Sequence, residues 1–333
     1  MSKNILISGG SGFIGSNFIN YFIDKYKDYQ IINVDKLTYA ANEDNNQALS
    51  NRDNYHFVQA DICDTQKIYS IIEKYNITDI IHFAAESHVD NSINGPESFI
   101  KTNINGTFNL LDASYKYWSK NKQLVTSRFH HISTDEVYGS LDKDGYFTES
   151  SQYAPNSPYA SSKAASDMLV RSYHKTFGLN TVTTNCSNNY GPYQHREKLI
   201  PKIVSNALEM KPIPIYGSGK NVRDWLHVID HCRAIDTVFH NAKNGEKYNI
   251  GGNTEISNIE IAKLICNIIN ELLPERENDH NLLITFVEDR LGHDFRYAID
   301  STKIKNDLNW SPSIDFETGI KETVKHFLNL NNS

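Results

Sequence analysis

The chain has 333 residues, which is more than one minimal hydrophobic core needs and suits a large domain that carries a smaller one. Its formal net charge is −7, with 22% charged and 39% hydrophobic residues. That balance argues against a general affinity for nucleic acid, because no basic excess is available to neutralise phosphates. No apolar run approaches the roughly 20 residues that cross a bilayer, so we expect no membrane association.

The cysteines and the N-terminus indicate in which cellular compartment the protein is expected. Cys63, Cys186, Cys232 and Cys266 are scattered and form no CxxC pair, so we expect neither a disulfide framework nor a metal site. The N-terminus passes through a short apolar run directly into glycines, without the long apolar stretch of a signal peptide. We therefore expect a cytoplasmic protein.

The first half of the chain alternates short β-branched runs with amphipathic segments. We predict strands at residues 4–8, 30–35, 56–60, 79–84, 129–133 and 181–186. The predicted helices span residues 12–26, 65–75, 103–118 and 157–177, the last beginning at Ser157-Pro158, where proline suits the first turn. This alternation implies right-handed βαβ units, and the predicted fold class is α/β with a doubly wound parallel sheet.

The pattern changes after Ser187, where prolines and glycines become frequent and the regular alternation ends. We predict that a smaller mixed α/β substrate lobe begins there. A helix at 228–240 and a strand at 247–250 are predicted to return to the first domain, and a helix at 257–272 to belong to the lobe. The predicted domains are therefore residues 1–186 with 227–252, and residues 187–226 with 253–333.

Three glycines, Gly9, Gly12 and Gly15, lie between the first predicted strand and the first helix. Such a turn lets the backbone approach a pyrophosphate, whose charge then lies at the helix N-terminus. Glycine clusters also form tight turns for steric reasons alone, but Asp35 ends the next strand about 20 residues on, where a carboxylate can bind the adenosine ribose. That charge would repel the 2′-phosphate of NADP, although Lys36 is adjacent. The sequence predicts a Rossmann domain that binds NAD.

Tyr159 and Lys163 lie four residues apart and therefore on one helical face. A free tyrosine has a pKa near about 10, and we expect the ammonium to lower it so that the phenolate can act as a base. A surface tyrosine beside a solvated lysine is the alternative, since this spacing is common by chance. Together with the glycine turn, the pair resembles the extended short-chain dehydrogenase/reductase family over nearly the whole chain.

Asp135 and Glu136 follow the fifth predicted strand, in the segment from Ser133 to Gly139. Adjacent carboxyl groups suit acid–base chemistry when one is kept protonated and the other ionised; a solvated acidic turn is the alternative. The segment is similar to the active-site segment of the dTDP-glucose 4,6-dehydratases, and members of the family that only epimerise a sugar lack the acidic pair. Six further stretches match the same subfamily: residues 85–90, 185–192, 197–201, 214–217, 221–226 and 289–294.

The resemblance implies three groups of site residues. The catalytic group is Thr134, Asp135, Glu136, Tyr159 and Lys163. The NAD-binding group is Gly9, Gly12, Phe13, Ile14, Gly15, Asp35, Lys36, Leu37, Thr38, Asp61, Ile62, Phe83, Ala84, Ala85, Ser87, Thr102, Tyr159, Lys163 and Asn189. The substrate-binding group is Ser87, Thr134, Asn188, Lys198, Leu199, Pro214, Ile215, Tyr216, Arg223, Asn258, Arg290 and His293, with the two arginines on a diphosphate.

The implied reaction is the dehydration of a nucleoside-diphosphate glucose to its 4-keto-6-deoxy product, with NAD regenerated. In it Tyr159 takes the proton of the 4-hydroxyl, Glu136 takes the carbon-5 proton, and Asp135 protonates the departing 6-hydroxyl. The resemblance also implies a homodimer.

The sequence departs from the subfamily pattern at three places. Asn91 replaces an arginine, His195-Arg196 replaces Phe-Pro, and Leu291 replaces a proline. None removes a group that the chemistry needs, but they leave the nucleobase open between thymine and uracil. A UDP-glucose 4,6-dehydratase, a nucleotide-sugar 4-epimerase and a non-enzymatic NAD-binding regulator remain as alternatives. The epimerase and the regulator would have no role for the acidic pair.

Overall fold

The computed structural model describes residues 2–274 and 279–331. The strands within these ranges are β1 (Asn4–Ser8), β2 (Gln30–Asp35), β3 (Tyr55–Gln59), β4 (Asp79–His82), β5 (Arg128–Thr134), β6 (Thr181–Cys186), β7 (Asn188–Tyr190), β8 (Ile213–Tyr216), β9 (Val222–His227), β10 (Lys247–Ile250), β11 (Glu255–Ser257) and β12 (Ile284–Val287). The α-helices are α1 (Phe13–Lys25), α2 (Thr65–Lys74), α3 (Val89–Asn94), α4 (Pro96–Phe99), α5 (Thr107–Lys120), α6 (Pro158–Phe177), α7 (Leu199–Leu208), α8 (Val228–Asn241), α9 (Asn258–Leu272), α10 (Thr302–Leu308) and α11 (Phe316–Asn331).

A seven-stranded parallel sheet forms the centre of the molecule, in the order β10-β6-β5-β4-β1-β2-β3. The chain runs outward from β1 through β2 to β3, then crosses back to β4 and continues through β5 and β6 to β10. The direction of winding therefore reverses between β1 and β4, which is where ligands bind in open α/β sheets. The doubly wound parallel fold predicted from the sequence is confirmed.

Both faces of this sheet are buried, as the continuous apolar strands require. Ile5 and Ile7 of β1 pack with α1 and α8 on one face. Leu6 points to the other face, where it packs with α2, α5 and α6. Successive side chains of a strand point to opposite faces, so one short strand contributes to two cores.

The helix predicted at residues 103–118 begins earlier in the structure. Pro96 starts α4 at a first-turn position, a π-helical turn spans Ile100–Gly106, and α5 continues the same rod. The amide of Asn103 bonds both backbone groups of Glu86, accepting at 2.8 Å and donating at 3.0 Å. It also donates to Ser162 Oγ at 2.8 Å. These contacts hold the wide turn in place, and π-turns of this kind often occur at functional sites.

The remaining strands form a small three-stranded sheet, β11-β9-β7, and a two-stranded sheet, β12-β8. A separate hydrophobic core joins β8 and β9 to α7, α9 and α11. Helix α10 lies elsewhere, since Ile304 packs with Val182 and Tyr248 at the β6–β10 edge of the large sheet. The division of the chain into two domains stays a prediction. Within the described ranges, no helix is both long enough and apolar enough to cross a membrane.

Candidate active site

The glycine turn connects β1 to α1 and leaves almost no room for side chains. Gly9 has φ +74°, and a Cβ there would lie 2.5 Å from the backbone nitrogen of Ala84. A Cβ on Gly15 would lie 2.2 Å from Gly9 O. Gly12 caps α1 without a side-chain hydrogen bond, so the positive end of the helix faces the turn without a capping side chain. The backbone is packed as closely as a bound diphosphate requires.

Asp35 is held by the backbone at the end of β2. Its Oδ2 accepts from the N–H of Ser11 at 3.0 Å and its Oδ1 accepts from the N–H of Leu37 at 2.8 Å. Burial raises the pKa of this carboxyl, while the same backbone hydrogen bonds favour its ionised form. Neighbouring Lys36 forms an ion pair with Asp61 at 2.8 Å, which directs its ammonium toward the end of β3.

A cavity runs along the carboxyl ends of β1, β2, β4 and β5, and nearly every residue of the predicted NAD-binding group lines it. Leu37 is the exception. Its backbone N–H is bonded to Asp35, its φ is +59°, and it lies outside the lining. The same cavity contains Thr134, Asp135, Glu136, Tyr159 and Lys163, so the proposed cofactor and catalytic residues share one space.

Tyr159 and Lys163 lie in the first turns of α6, and both side chains are buried. Lys163 Nζ donates to the carbonyl of Ile132 at 2.8 Å. Burial lowers the lysine pKa to about 8. The expected lowering of the tyrosine pKa is absent: burial raises the pKa of Tyr159, and the negative charge of Glu136 raises it further. In this arrangement the desolvation of the phenolate and the neighbouring negative charges outweigh the hydrogen bond with Thr134, which lowers the tyrosine pKa.

Asp135 and Glu136 begin a short 3₁₀ turn that follows β5 directly, and Thr134 caps that turn by accepting from the Glu136 N–H at 3.3 Å. Asp135 is 1% exposed. Burial raises the pKa of its carboxyl well above the usual range, and repulsion from Glu136 adds to this. Burial also raises the pKa of Glu136, but the positive charges of Arg223, Arg290 and Lys198 oppose that rise. Burial thus holds Asp135 in its protonated form, while the three positive charges limit the rise at Glu136, so that Glu136 ionises more readily than Asp135.

A second cavity adjoins the first and contains eleven of the twelve predicted substrate-binding residues; the twelfth, Thr134, lines the first cavity. The residues that line both cavities are Ser87, Glu136, Asn188, Glu197 and Lys198. Glu136 thus lies where the two cavities meet. Lys198 Nζ donates to the carbonyl of Ser87 at 2.8 Å, which fixes the ammonium at this junction.

Two arginines bring positive charge to the second cavity. Arg223 is 7% exposed and donates to the carbonyls of Val222 at 2.7 Å and Asp294 at 3.0 Å. Its guanidinium stacks 4.3 Å from the centre of the Tyr297 ring. Arg290 lies 3.3 Å from Asp90 Oδ1 and stacks over the Tyr216 ring. Stacked, pre-oriented guanidinium groups suit an anion such as a diphosphate.

Several residues of the second cavity were missed in the sequence. Tyr297 supports Arg223 from below, and its hydroxyl donates to Asp294. Asp90 holds both Arg290 and the hydroxyl of Tyr216, the latter at 3.2 Å. Asp90 and Asp294 stand inside stretches that the resemblance marked, at residues 85–90 and 289–294, and that position was the available signal. Their supporting role depends on contacts between distant segments.

Comparisons with known proteins agree with this geometry. The family model described as GDP-mannose 4,6 dehydratase matches residues 6–323. The dTDP-glucose 4,6-dehydratase of Haemophilus influenzae is 51% identical over 331 residues, which is 98% of each chain. The crystal structure of the dTDP-glucose 4,6-dehydratase of Bacillus anthracis in complex with NAD is 46% identical, with a TM-score of 0.86 and 99% of this chain and 98% of that chain covered.

The dTDP-glucose 4,6-dehydratase of Streptomyces venezuelae, also solved with NAD bound, is 42% identical. Its TM-score is 0.89, and the match covers 99% of this chain and 98% of that one. Likeness of this extent covers all three sheets and both cavities. The chain therefore belongs to the family of the dTDP-glucose 4,6-dehydratases.

Proposed function

We propose that this chain dehydrates dTDP-glucose to the 4-keto-6-deoxy-glucose nucleotide, as an NAD-dependent hydro-lyase. The observation that carries the proposal is the position of the two adjacent carboxyl groups: Asp135 lines the first cavity, and Glu136 lies where the two cavities meet, beside the positive charges of Arg223, Arg290 and Lys198. A 4-epimerase or an NAD-binding regulator has no use for a protonated and an ionised carboxyl at this position.

The first cavity fits NAD. The crowded turn at Gly9 and Gly15 admits a backbone-bound pyrophosphate, and Asp35 presents a carboxylate to a ribose diol while opposing a 2′-phosphate. When bound, NAD takes up a hydride from carbon 4 of the sugar and returns it at carbon 6. The protein supplies the position of the reacting groups and their proton transfers.

Oxidation at carbon 4 begins with Tyr159. Its phenolate takes the proton of the 4-hydroxyl and becomes the phenol, and Thr134, which lines the same cavity, hydrogen-bonds the sugar oxygen. Burial makes the phenolate costly, so the positive charge of Lys163 on the same face of α6 is needed to stabilise it.

Elimination follows because the new ketone acidifies the proton on carbon 5. Glu136, whose anionic form is favoured by Arg223, Arg290 and Lys198, takes that proton. Asp135, kept protonated by burial and by its neighbour's charge, donates a proton to the departing 6-hydroxyl, and water leaves. A proton then returns to carbon 5 as the hydride is delivered to carbon 6.

The test is incubation of the purified protein with dTDP-, UDP-, GDP- and CDP-glucose, followed by detection of the 4-keto product and loss of the 6-hydroxyl. We expect turnover with dTDP-glucose to exceed that with each of the other three. Preference for UDP-glucose would mean that the site recognises uracil and not thymine. Retention of the 6-hydroxyl with inversion at carbon 4 would indicate an epimerase. Lack of turnover with all four nucleotides would favour the alternative of a non-enzymatic NAD-binding regulator.

We also propose that the chain assembles as a homodimer. Helices α5 and α6 expose large apolar side chains, among them Phe108 (44% exposed) and Met168 (49% exposed), and clustered apolar exposure is typical of interfaces. Light scattering should give twice the chain mass, and the double change Phe108→Glu, Met168→Glu should give a monomer. A monomeric wild-type protein would contradict this.

We further propose that the protein is located in the cytoplasm. All four cysteines are free thiols in the structure, which supports this location.

A further inference from the structure

Asp167 lies one turn beyond Lys163 on α6, beneath the floor of the catalytic cavity, and is 4% exposed. Its carboxylate is surrounded by donors. His131 Nε2 is 3.1 Å from Oδ1. The Tyr153 hydroxyl donates to Oδ2 at 2.7 Å, and the Asn185 amide donates to the same oxygen at 3.2 Å. These donors come from β5, from the segment before α6 and from β6.

Such a set of donors stabilises the ionised form of a buried carboxyl. Burial alone would raise the Asp167 pKa, but His131 and Lys163 reverse that, and the pKa is lowered. His131 remains neutral at pH 7, since burial lowers its pKa to about 4. It therefore acts as a hydrogen-bond donor to Asp167 and does not neutralise the carboxylate.

Lys163 needs a buried negative charge nearby in order to stay protonated. Burial lowers its pKa to about 8, and the attraction of Asp167 is the largest effect that opposes the fall. The hydrogen bond to the Ile132 carbonyl orients the ammonium but contributes no net charge. A neutral amine could not stabilise a phenolate at Tyr159.

We propose that Asp167 is the buried counter-charge of Lys163 and, by keeping that lysine protonated, a positioning residue for the proton transfer at Tyr159. The proposal rests on the proposed function. Asp167 touches neither cavity, so it acts only through Lys163 and through Asn185, whose amide also donates to the Thr134 carbonyl at 3.0 Å.

Other titratable groups face this pair from each neighbouring element. Those that interact electrostatically with Lys163 or Asp167 are His82 on β4, His131 on β5, Tyr138, Tyr153, Cys186 on β6 and Lys247 on β10. Asp135, Glu136 and Tyr159 line the same cavity as Lys163. The histidines are neutral at pH 7, because burial lowers the pKa of both. Lys247 Nζ is 3.5 Å from the Tyr153 hydroxyl, and Lys247 lines neither cavity. None of these groups replaces the negative charge of Asp167 next to Lys163.

The direct test measures the ionisation of Lys163 without turnover. Protein with ¹³Cε-labelled lysine is titrated by NMR, and the Lys163 signal is assigned by its loss in Lys163→Arg. In Asp167→Asn the Lys163 pKa should fall by about one pH unit or more. Asp167→Ser, which also removes the charge but keeps a hydroxyl for Tyr153 and Asn185, should give the same fall and serves if the asparagine variant does not fold.

Tyr153→Phe is the matched control, because it removes the shortest hydrogen bond to Asp167 but leaves the negative charge. Its Lys163 pKa should stay within about half a pH unit of wild type. In single turnovers with dTDP-glucose, the alkaline limb of the oxidation rate should move to lower pH in Asp167→Asn and stay in place in Tyr153→Phe.

An unchanged Lys163 pKa in the folded Asp167 variants would overturn the proposal, as would an equal fall in Tyr153→Phe. Failure of the wild-type protein to turn over dTDP-glucose would instead overturn the proposed function, and the NMR result would still stand by itself.

Discussion

Asp135 and Glu136 are adjacent in the chain and burial raises the pKa of both carboxyl groups, yet more positive charge surrounds Glu136 than Asp135. Among the described residues nothing donates a hydrogen bond to Asp135 Oδ2, and burial raises the pKa of this carboxyl well above its usual range. Glu136 experiences the positive charges of Arg223, Arg290 and Lys198. A proton donor and a proton acceptor thus occupy one turn, and the proposed elimination of water depends on the different charges around their two carboxyl groups.

The pair should give the elimination step a bell-shaped pH dependence. At low pH the rate falls as Glu136 becomes protonated, and because burial raises its pKa this limb should lie above the range of a free glutamate. At high pH the rate falls as Asp135 loses its proton. Loss of deuterium from carbon 5 of labelled dTDP-glucose in single turnovers reports the step. Asp135→Asn should be slower and should lack the alkaline limb; a limb that persists there belongs to another group.

Asp35 should set the cofactor preference. Asp35→Ala combined with Lys36→Arg removes the repulsion and adds a phosphate partner, so binding should shift from NAD toward NADP. Titration of both cofactors against wild type and variant measures the shift, and Asp35→Ala alone is the control for lost ribose contacts. Unchanged discrimination would mean that the ribose is recognised elsewhere.

Tyr159→Phe should abolish oxidation while leaving substrate binding nearly intact. The ring still packs beside Phe99, but no oxygen remains to take the proton, and loss of a general base costs about 10²–10⁴-fold in rate. Calorimetry with dTDP-glucose and single-turnover absorbance of the reduced cofactor separate the two effects. A variant that keeps most of its activity would remove Tyr159 from the role of base.

At pH values where Glu136 is ionised, Arg223→Ala should weaken substrate binding more than it slows the turnover of bound sugar; at lower pH it should also slow elimination, because the Arg223 charge opposes the rise of the Glu136 pKa. A diphosphate is remote from the reacting carbons, so its contacts act alike on the ground state and the transition state. One charge-assisted contact should be worth about 1.5–3 kcal/mol in KM. Because Arg223 also binds main-chain carbonyls and stacks on Tyr297, thermal unfolding of the variant is the control for lost packing. Collapse of kcat at unchanged KM would assign Arg223 to the chemistry.

The large sheet was predictable from the sequence because its information is local. Each of β1 to β6 is a short run that contains β-branched or aromatic residues, and Gly9 and Asp35 stand at the ends of β1 and β2. The order of the strands then follows from the handedness of βαβ units.

The second core was less predictable. No helix was predicted at α7, which lies in the stretch where prolines and glycines become frequent. In the structure Pro201 lies in the first turn of this helix, where its missing N–H breaks no helical hydrogen bond. The burial of Ile200, Ile203, Val204 and Ala207 shows the helical period around it. The π-turn at Asn103 and the stacking of Arg223 on Tyr297 depend on contacts between distant segments, which no local pattern reports.

The most direct test of the account is a single-turnover experiment on the double variant Asp135→Asn, Glu136→Gln, which keeps shape but removes the acid and the base. Mixed with dTDP-glucose, the variant should still oxidise carbon 4, and the absorbance of enzyme-bound NADH should rise and persist, whereas wild type should show only a transient. Little 6-deoxy product and little solvent deuterium at carbon 5 should form. Elimination of water at a near-normal rate would contradict the assignment of the two carboxyl groups, and a complete lack of NADH despite bound substrate would mean that they serve the oxidation itself.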